Sequence, residues 1–270
     1  QLLSSTSFSS DFSDDAILPK VGINHNLNDD TLISLKTQKS YRPGGIEYDL
    51  FNNNDYLYND ETVWNYELSL SGKLPNKSIN YSANLFYMDW KDQQLTIPRI
   101  PSDLTSSVIT NVKDSYVYGG ELELISQPSK GLILFASIGA ALTEFEEFEF
   151  NQIGTNNNLS GLKFPRTPNY SASAGIEYQF DSGLFLEGNV NYTSSRISRS
   201  IFEGLERDDL SAYTVLNFRV GYKRDNWSIT AFANNLTDEE YFLYRYDTPK
   251  LQVGTLGLGR FFGVRASYNF

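Results

Sequence analysis

The sequence predicts an all-β fold: one domain over residues 1–270, forming part of an antiparallel transmembrane β-barrel with about eleven strands. Three observations point there. Hydrophobicity alternates with period two in segments of about ten residues, with no sustained helical stripe. The connections between segments alternate between short and long. Aromatics are abundant, with 18 Tyr and 18 Phe in 270 residues, yet no apolar run reaches the roughly 18 residues of a membrane helix.

The first two strands, near 17–27 and 31–41, flank the short turn Asn28-Asp29-Asp30. In the third, 62–73, Trp64, Tyr66, Leu68 and Leu70 oppose Asn65, Glu67, Ser69 and Ser71. Pro75-Asn76-Lys77 leads to 78–90, where Ile79, Tyr81, Ala83, Leu85 and Tyr87 oppose Asn80, Ser82 and Asn84. Strands 116–126 and 131–143 are joined across Gln127 to Lys130. In 169–180, Tyr170, Ala172, Ala174, Ile176 and Tyr178 should face lipid, opposite Ser171, Ser173, Gly175 and Glu177. Asp181-Ser182-Gly183 turns into 184–195, with Leu184, Leu186, Val190 and Tyr192 on one face. Strands 213–224 and 226–236 share a short turn at Arg224-Asp225-Asn226. The last, 260–270, sets Phe262, Val264, Ala266, Tyr268 and Phe270 against Gly263, Arg265, Ser267 and Asn269.

The long connections cover 42–61, 91–115, 144–168, 196–212 and 237–259. Short turns on one rim and long loops on the other describe an outer-membrane barrel. A soluble antiparallel sandwich gives the same alternation. Against it, the segments are long for sandwich strands. Their apolar faces end in aromatics resembling interfacial girdles: Trp64, Tyr66, Tyr87, Trp90, Tyr178, Phe180, Tyr192, Trp227, Tyr268 and Phe270. The opposite faces carry Glu67, Glu121, Glu123, Glu177, Glu187 and Arg265 at mid-strand, which a dry core rejects unless they are paired. A polar lumen accepts them.

Composition excludes several functions. With 33 acidic and 22 basic side chains the formal charge is -11, so no basic footprint for nucleic acid exists. Without Cys there are no disulfides, thiolate metal sites or Cys nucleophiles. The single His25 sits by a short turn, so neither a Ser–His–Asp triad nor a metal cluster is expected. The chain is expected to be no enzyme and to hold no cofactor. It starts at Gln1 with a polar, Ser-rich stretch to Asp15 and lacks a signal peptide, so a missing N-terminal part is expected.

Several landmarks, in order, resemble the C-terminal half of a TonB-dependent outer-membrane receptor. Leu18-Pro19-Lys20-Val21-Gly22-Ile23 and Lys39-Ser40-Tyr41-Arg42-Pro43-Gly44-Gly45 are similar to a strand–turn–strand entering a long loop. Val63-Trp64-Asn65-Tyr66-Glu67-Leu68 resembles the family's Y-E-x-G strand, with its Gly placed late. Asn84 to Asp92, Gly119-Gly120-Glu121-Leu122-Glu123-Leu124 and Phe164-Pro165-Arg166-Thr167-Pro168 resemble further strand landmarks. Asn234-Asn235-Leu236-Thr237-Asp238-Glu239-Glu240-Tyr241 is similar to a signature near the receptor C-terminus, and Gly263 to Phe270 to its terminal strand.

The resemblance implies a barrel of about 22 strands around an N-terminal plug. These eleven strands would be its last half, with plug and TonB box absent. It implies a Gram-negative outer-membrane location and active uptake of a scarce nutrient, first of all a ferric siderophore. Vitamin B12, haem or an oligosaccharide are alternative substrates; a passive porin or a structural barrel are alternative functions. Expected partners are outer-membrane lipid and lipopolysaccharide, the missing strands and plug, the TonB complex, the barrel-assembly machinery and a small-molecule substrate.

Within that frame, Phe262, Val264, Ala266, Tyr268 and Phe270 form an expected assembly signal. Arg196, Arg199, Arg207, Tyr244, Arg245 and Tyr246 lie on long loops suited to an anionic ligand, to lipopolysaccharide phosphates or to neighbouring carboxylates. Tyr56 and Tyr58 stand in an Asn-rich loop suited to a sugar or to plain hydration. Glu67, Glu121, Glu123, Glu177 and Glu187 are expected to form a lumen network with Arg219 and Arg265. The run Glu144 to Phe150 reads as a solvated strand extension, with a ligand-contact role as the alternative.

Overall fold

A computed structural model describes residues 15–50, 52–74, 78–100, 106–152, 155–199, 208–247 and 252–270. The chain runs through β1 (Lys20–Asn28), β2 (Thr31–Arg42) and a small hairpin, β3 (Gly45–Asp49) and β4 (Asn54–Tyr58). Four longer strands follow: β5 (Glu61–Lys73), β6 (Ile79–Pro98), β7 (Ser107–Ser129) and β8 (Leu132–Glu147). A second small hairpin, β9 (Glu149–Gln152) and β10 (Thr155–Asn158), precedes β11 (Tyr170–Gln179) and β12 (Leu184–Thr193). Then come β13 (Arg196–Arg199), β14 (Asp208–Leu210), β15 (Tyr213–Arg224) and β16 (Trp227–Asn234). The hairpin of β17 (Phe242–Asp247) and β18 (Gln252–Leu256) leads to β19 (Phe261–Tyr268).

Eleven strands form one sheet in the order β1-β2-β5-β6-β7-β8-β11-β12-β15-β16-β19, all antiparallel neighbours. These are the eleven segments the alternation predicts. β1 and β19 are the two edges of this sheet.

Register assigns the faces, because directly opposed residues share a side. The row Leu35↔Leu68↔Leu85 lies on one face, as does Leu134↔Ile176. The same face carries Val220↔Ala231↔Val264. It is apolar yet exposed: Ile138 is 54%, Ile176 48% and Val264 69% accessible. A sandwich would cover that face with a second sheet. Here, apart from Ala233, every buried apolar side chain among the described residues belongs to the outer hairpins. The sheet is therefore a single-layer wall whose outward face needs a nonaqueous surrounding.

Aromatics cap that face at both ends. Trp64, Tyr66, Tyr87, Tyr116 and Tyr118 form a chain of ring contacts near the long-loop rim. Tyr178–Phe180, Tyr222–Trp227 and Tyr268–Phe270 line the short-turn rim. Trp90 corrects the sequence reading. It pairs with Val63 on the inward side, where its indole N–H donates to Glu61 at 3.1 Å. Being three residues from Tyr87, it falls on the other face of the pleat.

The long connections are more ordered than the sequence suggests. β6 and β7 stay paired out to Pro98↔Ser107, well beyond the predicted strand ends near 90 and 116. Lys91-Asp92-Gln93-Gln94 ends the apolar alternation without ending the backbone ladder. Each of the other four long connections contains a small hairpin. Glu144 to Phe150 is also only half as read: Glu146, Glu147 and Glu149 are exposed, but Phe145 and Phe148 are fully buried.

Candidate functional site

The inward face is polar and is the first candidate surface. Glu187 accepts from Arg219 at 3.3 Å, as expected for that carboxylate. Glu67 instead pairs with Lys36 at 3.1 Å and accepts from the Asn65 amide. Lys36 is absent from the sequence-level network, because only the β2–β5 register brings it opposite Glu67. Asn189 accepts from Asn191 and Asn217, and Ser137 bonds Ser173 across the β8–β11 pair. Glu121, Glu123 and Glu177 form no ion pair with any described residue, nor does Arg265. The register nonetheless separates charge along the inner wall: Glu121 and Glu123 of β7 and Glu177 of β11 face inward on one side, and Arg219 and Lys223 of β15 and Arg265 of β19 on the other.

Four inward Phe rings each lie over the Gly directly across the ladder: Phe86 on Gly119, Phe135 on Gly175, Phe185 on Gly221 and Phe232 on Gly263. A Cβ at any of these glycines would meet the ring. The ring shields backbone that Gly leaves bare and lies flat along the wall, keeping the lumen open.

The outer hairpins are the second candidate surface. They form two latched groups. In the first, Ile97, Val108, Val112, Phe145, Phe148, Phe150 and Leu159 make an apolar core. Tyr56 packs against it; its hydroxyl donates to Glu47 at 2.8 Å and accepts from the Ile109 N–H at 2.7 Å. Burial, reinforced by Glu47, pushes the Tyr56 phenol up to about 12 against the opposing pull of that N–H. Gln94 donates to the Pro43 and Asn59 carbonyls at 2.9 and 3.0 Å, and Arg99 pairs with buried Asp49 at 2.9 Å. Tyr58 lies over Gly45 in the β3–β4 hairpin.

The second group joins β13–β14 to β17–β18. Ser198 Oγ donates to the Arg245 carbonyl at 2.6 Å and accepts from its N–H at 2.8 Å. Arg196 donates to the Phe242 carbonyl at 3.1 Å and lies over the Tyr213 ring, which stacks on Tyr241 at 4.0 Å. The Arg245 guanidinium lies over Phe242, and Tyr244 receives Arg166 on its ring at 5.8 Å. Of the predicted loop residues, Arg196, Tyr244 and Arg245 therefore come together, whereas Tyr56 and Tyr58 belong to the first group. The side chains of Arg199, Arg207 and Tyr246 lie outside the described residues. Arg166, which no sequence pattern marks as a contact, donates its N–H to the Ile197 carbonyl at 2.6 Å, linking the groups through Phe164, whose ring stacks on Phe145 at 4.5 Å. A small hollow of about 100 Å³ between Lys163, Thr167, Arg196 and Asp209 sits at this junction.

The Asn234 to Tyr241 signature has a structural task. Asn235, at φ 49, accepts from the Glu239 N–H and donates to the Glu239 and Leu258 carbonyls. Asp238 accepts from the Arg260 N–H at 2.9 Å and pairs with its guanidinium at 3.3 Å. The motif pins both feet of the last outer hairpin to the wall.

Comparison with known proteins agrees with this architecture. The chain is 22% identical over 264 residues to the pesticin receptor of Yersinia pestis, covering 95% of this chain and 36% of that protein. It thus spans about a third of that relative's length. The ferric yersiniabactin uptake receptor of Yersinia pestis superposes with a TM-score of 0.75 at 21% identity, over 95% of this chain and 38% of the other. The siderophore receptor PiuA of Acinetobacter baumannii gives 0.71 at 17%, over 92% and 35%. The copper transporter OprC gives 0.69 at 20%, over 93% and 39%. Residues 3–236 match the family described as TonB dependent receptor-like, β-barrel. Members of that family are outer-membrane transport receptors rather than enzymes, which places the exposed apolar belt in the Gram-negative outer membrane. The chain belongs to the TonB-dependent receptor β-barrel family.

Proposed function

We propose that this chain is the C-terminal half of a barrel of about 22 strands, in a receptor that imports a scarce nutrient by TonB-coupled transport. The observation that carries the barrel reading is the parity of the wall. Eleven antiparallel strands leave β1 and β19 pointing the same way, each with an open edge. Open edges are intolerable in lipid. Pairing β1 with β19, or with β19 of a second copy around the barrel axis, would make a parallel seam. An odd number of further strands closes the wall antiparallel throughout, and eleven more give the proposed total. A plug inside that barrel would meet the polar inner wall, and its TonB box would reach the energised complex.

A ferric siderophore is the proposed substrate, in keeping with the names of the similar receptors. Arg196, Tyr244 and Arg245 are proposed ligand contacts at the outer mouth, together with Arg199, Arg207 and Tyr246. Tyr56 and Tyr58 are proposed to line its other side. Phe262, Val264, Ala266, Tyr268 and Phe270 are proposed as the face read by the barrel-assembly machinery. Outer-membrane lipid and lipopolysaccharide are the proposed surroundings.

Uptake of labelled ferric siderophores by cells carrying the full-length receptor tests this, with and without proton-motive force. Coupled uptake is expected. Uptake that persists after uncoupling would favour a passive porin; coupled uptake of vitamin B12, haem or an oligosaccharide instead would replace the substrate.

A further inference from the structure

The basic side of the inner wall carries a cation without a counterion. Arg265 projects inward from β19, one residue from lipid-facing Val264 and Ala266, and lies across the ladder from Thr230. It is exposed and forms no hydrogen bond or ion pair with another described residue. Its inward neighbours offer no acid: Thr230, Ser267, Gly263 and, one strand further, Gly221. Glu187 is already engaged by Arg219. Arg265 and the Arg219–Glu187 pair share a hollow of about 440 Å³ floored by Phe185, Phe232 and Phe261, so two cations face one carboxylate there.

We propose that this hollow seats an acidic side chain of the protein segment that fills the lumen, with Arg265 as its charge partner and the Phe rings packing its aliphatic stem. The argument is charge complementarity. An unpaired guanidinium beside apolar rings, once covered, is stabilised by a carboxylate and penalised by any other group. The geometry favours a carboxylate on a side chain over a free anion, because the hollow is half-lined by carbon and has one unpaired cation. This inference rests on the plugged-receptor reading and adds which part of the wall takes acid.

The test uses the full-length receptor in detergent. Hydrogen exchange of the lumen-filling segment is compared for wild type, Arg265→Gln, Arg265→Glu and Arg224→Gln, the last a rim cation beside Asp225. Arg265→Glu should accelerate exchange in one stretch of that segment about tenfold or more, Arg265→Gln less, and Arg224→Gln not at all. A photo-reactive residue at position 265 should cross-link to the same stretch, next to an Asp or Glu. Unchanged exchange in Arg265→Glu, or cross-links only to the strand beside β19, would overturn the proposal. Wild-type coupled uptake with either negative result would leave the receptor reading standing; uncoupled uptake with no lumen-filling segment would remove that reading first.

Discussion

The wall and the outer hairpins solve opposite problems with the same strands. In the wall, apolar side chains such as Leu85, Ile138 and Val264 are left exposed, and stability depends on lipid supplied from outside. In the hairpins, Phe145, Phe148 and Ile97 are buried by the protein itself, and Arg99–Asp49 and Tyr56–Glu47 tie the edges. One region is a membrane structure with no dry core. The other is a small water-soluble core standing on it. Disturbing the two should therefore have separable consequences.

The largest effect is expected from Phe145→Ala. Emptying a fully buried Phe costs about 3–5 kcal/mol. The loss should stay local: hydrogen exchange over 107–115 and 143–150 should rise steeply while the barrel's denaturation midpoint hardly moves. A matching drop in the barrel midpoint would show that wall and hairpins fold as one unit. The converse variant is Ile176→Arg on the outward face, expected to cost about 2–4 kcal/mol in refolding experiments in lipid. Glu177→Arg, one residue away and facing inward, should cost far less. Equal losses would abolish the distinction between faces.

Phe270 sharpens the comparison at the end of the wall. Its removal deletes burial worth about 1.5–3 kcal/mol in lipid. If it serves assembly, outer-membrane levels of Phe270→Asp and Phe270→Ala should fall, with Phe270→Tyr mild and the urea midpoints of refolded barrels little changed. Normal levels of Phe270→Asp would leave it as ordinary packing. The smallest effect concerns Tyr56. Its phenol is held up to about 12 in the folded hairpin, above the ordinary value of 10.0. The folded state keeps a proton that the unfolded chain has lost, so this stabilisation is complete below pH 10 and disappears as pH rises toward 12. Local exchange around Ile109 should accelerate across that window, and Tyr56→Phe should flatten the response.

The two regions also differ in how far their sequences can be read. Period two makes the wall legible because each strand has one lipid face and one wet face. Residues 170–178 alternate apolar and polar, and the structure places them that way. Trp90 stands close enough to Tyr87 in sequence to resemble part of the same girdle, but the pleat puts residues three apart on opposite faces. The hairpins have no lipid face, so their ladder continues through Lys91-Asp92-Gln93-Gln94 without a hydrophobic signal. The core of Ile97, Val112 and Phe145 gathers residues from separate connections, which no local pattern reveals. Within the inner wall the acids were visible, but the Lys36–Glu67 partner and each Phe-over-Gly pair depend on register. Arg166 carries no sequence signal beyond its Pro-bounded setting; its backbone at φ 63 and its place over Tyr244 follow from tertiary contacts.

These 270 residues contain no cysteine, so once any cysteine elsewhere in the receptor is replaced, a thiol introduced into the wall reports alone and tests the central claim directly. Single cysteines at positions 171 to 178 of the full-length receptor, reconstituted in bilayers, would carry an environment-sensitive fluorophore. Quenching by lipid-borne nitroxide and by a water-soluble quencher would then be compared. A strict alternation is expected: lipid quenching at 172, 174, 176 and 178, and aqueous quenching at 171, 173, 175 and 177. Lipid-independent protection of 172, 174 and 176, or no alternation, would contradict a single-layer membrane wall.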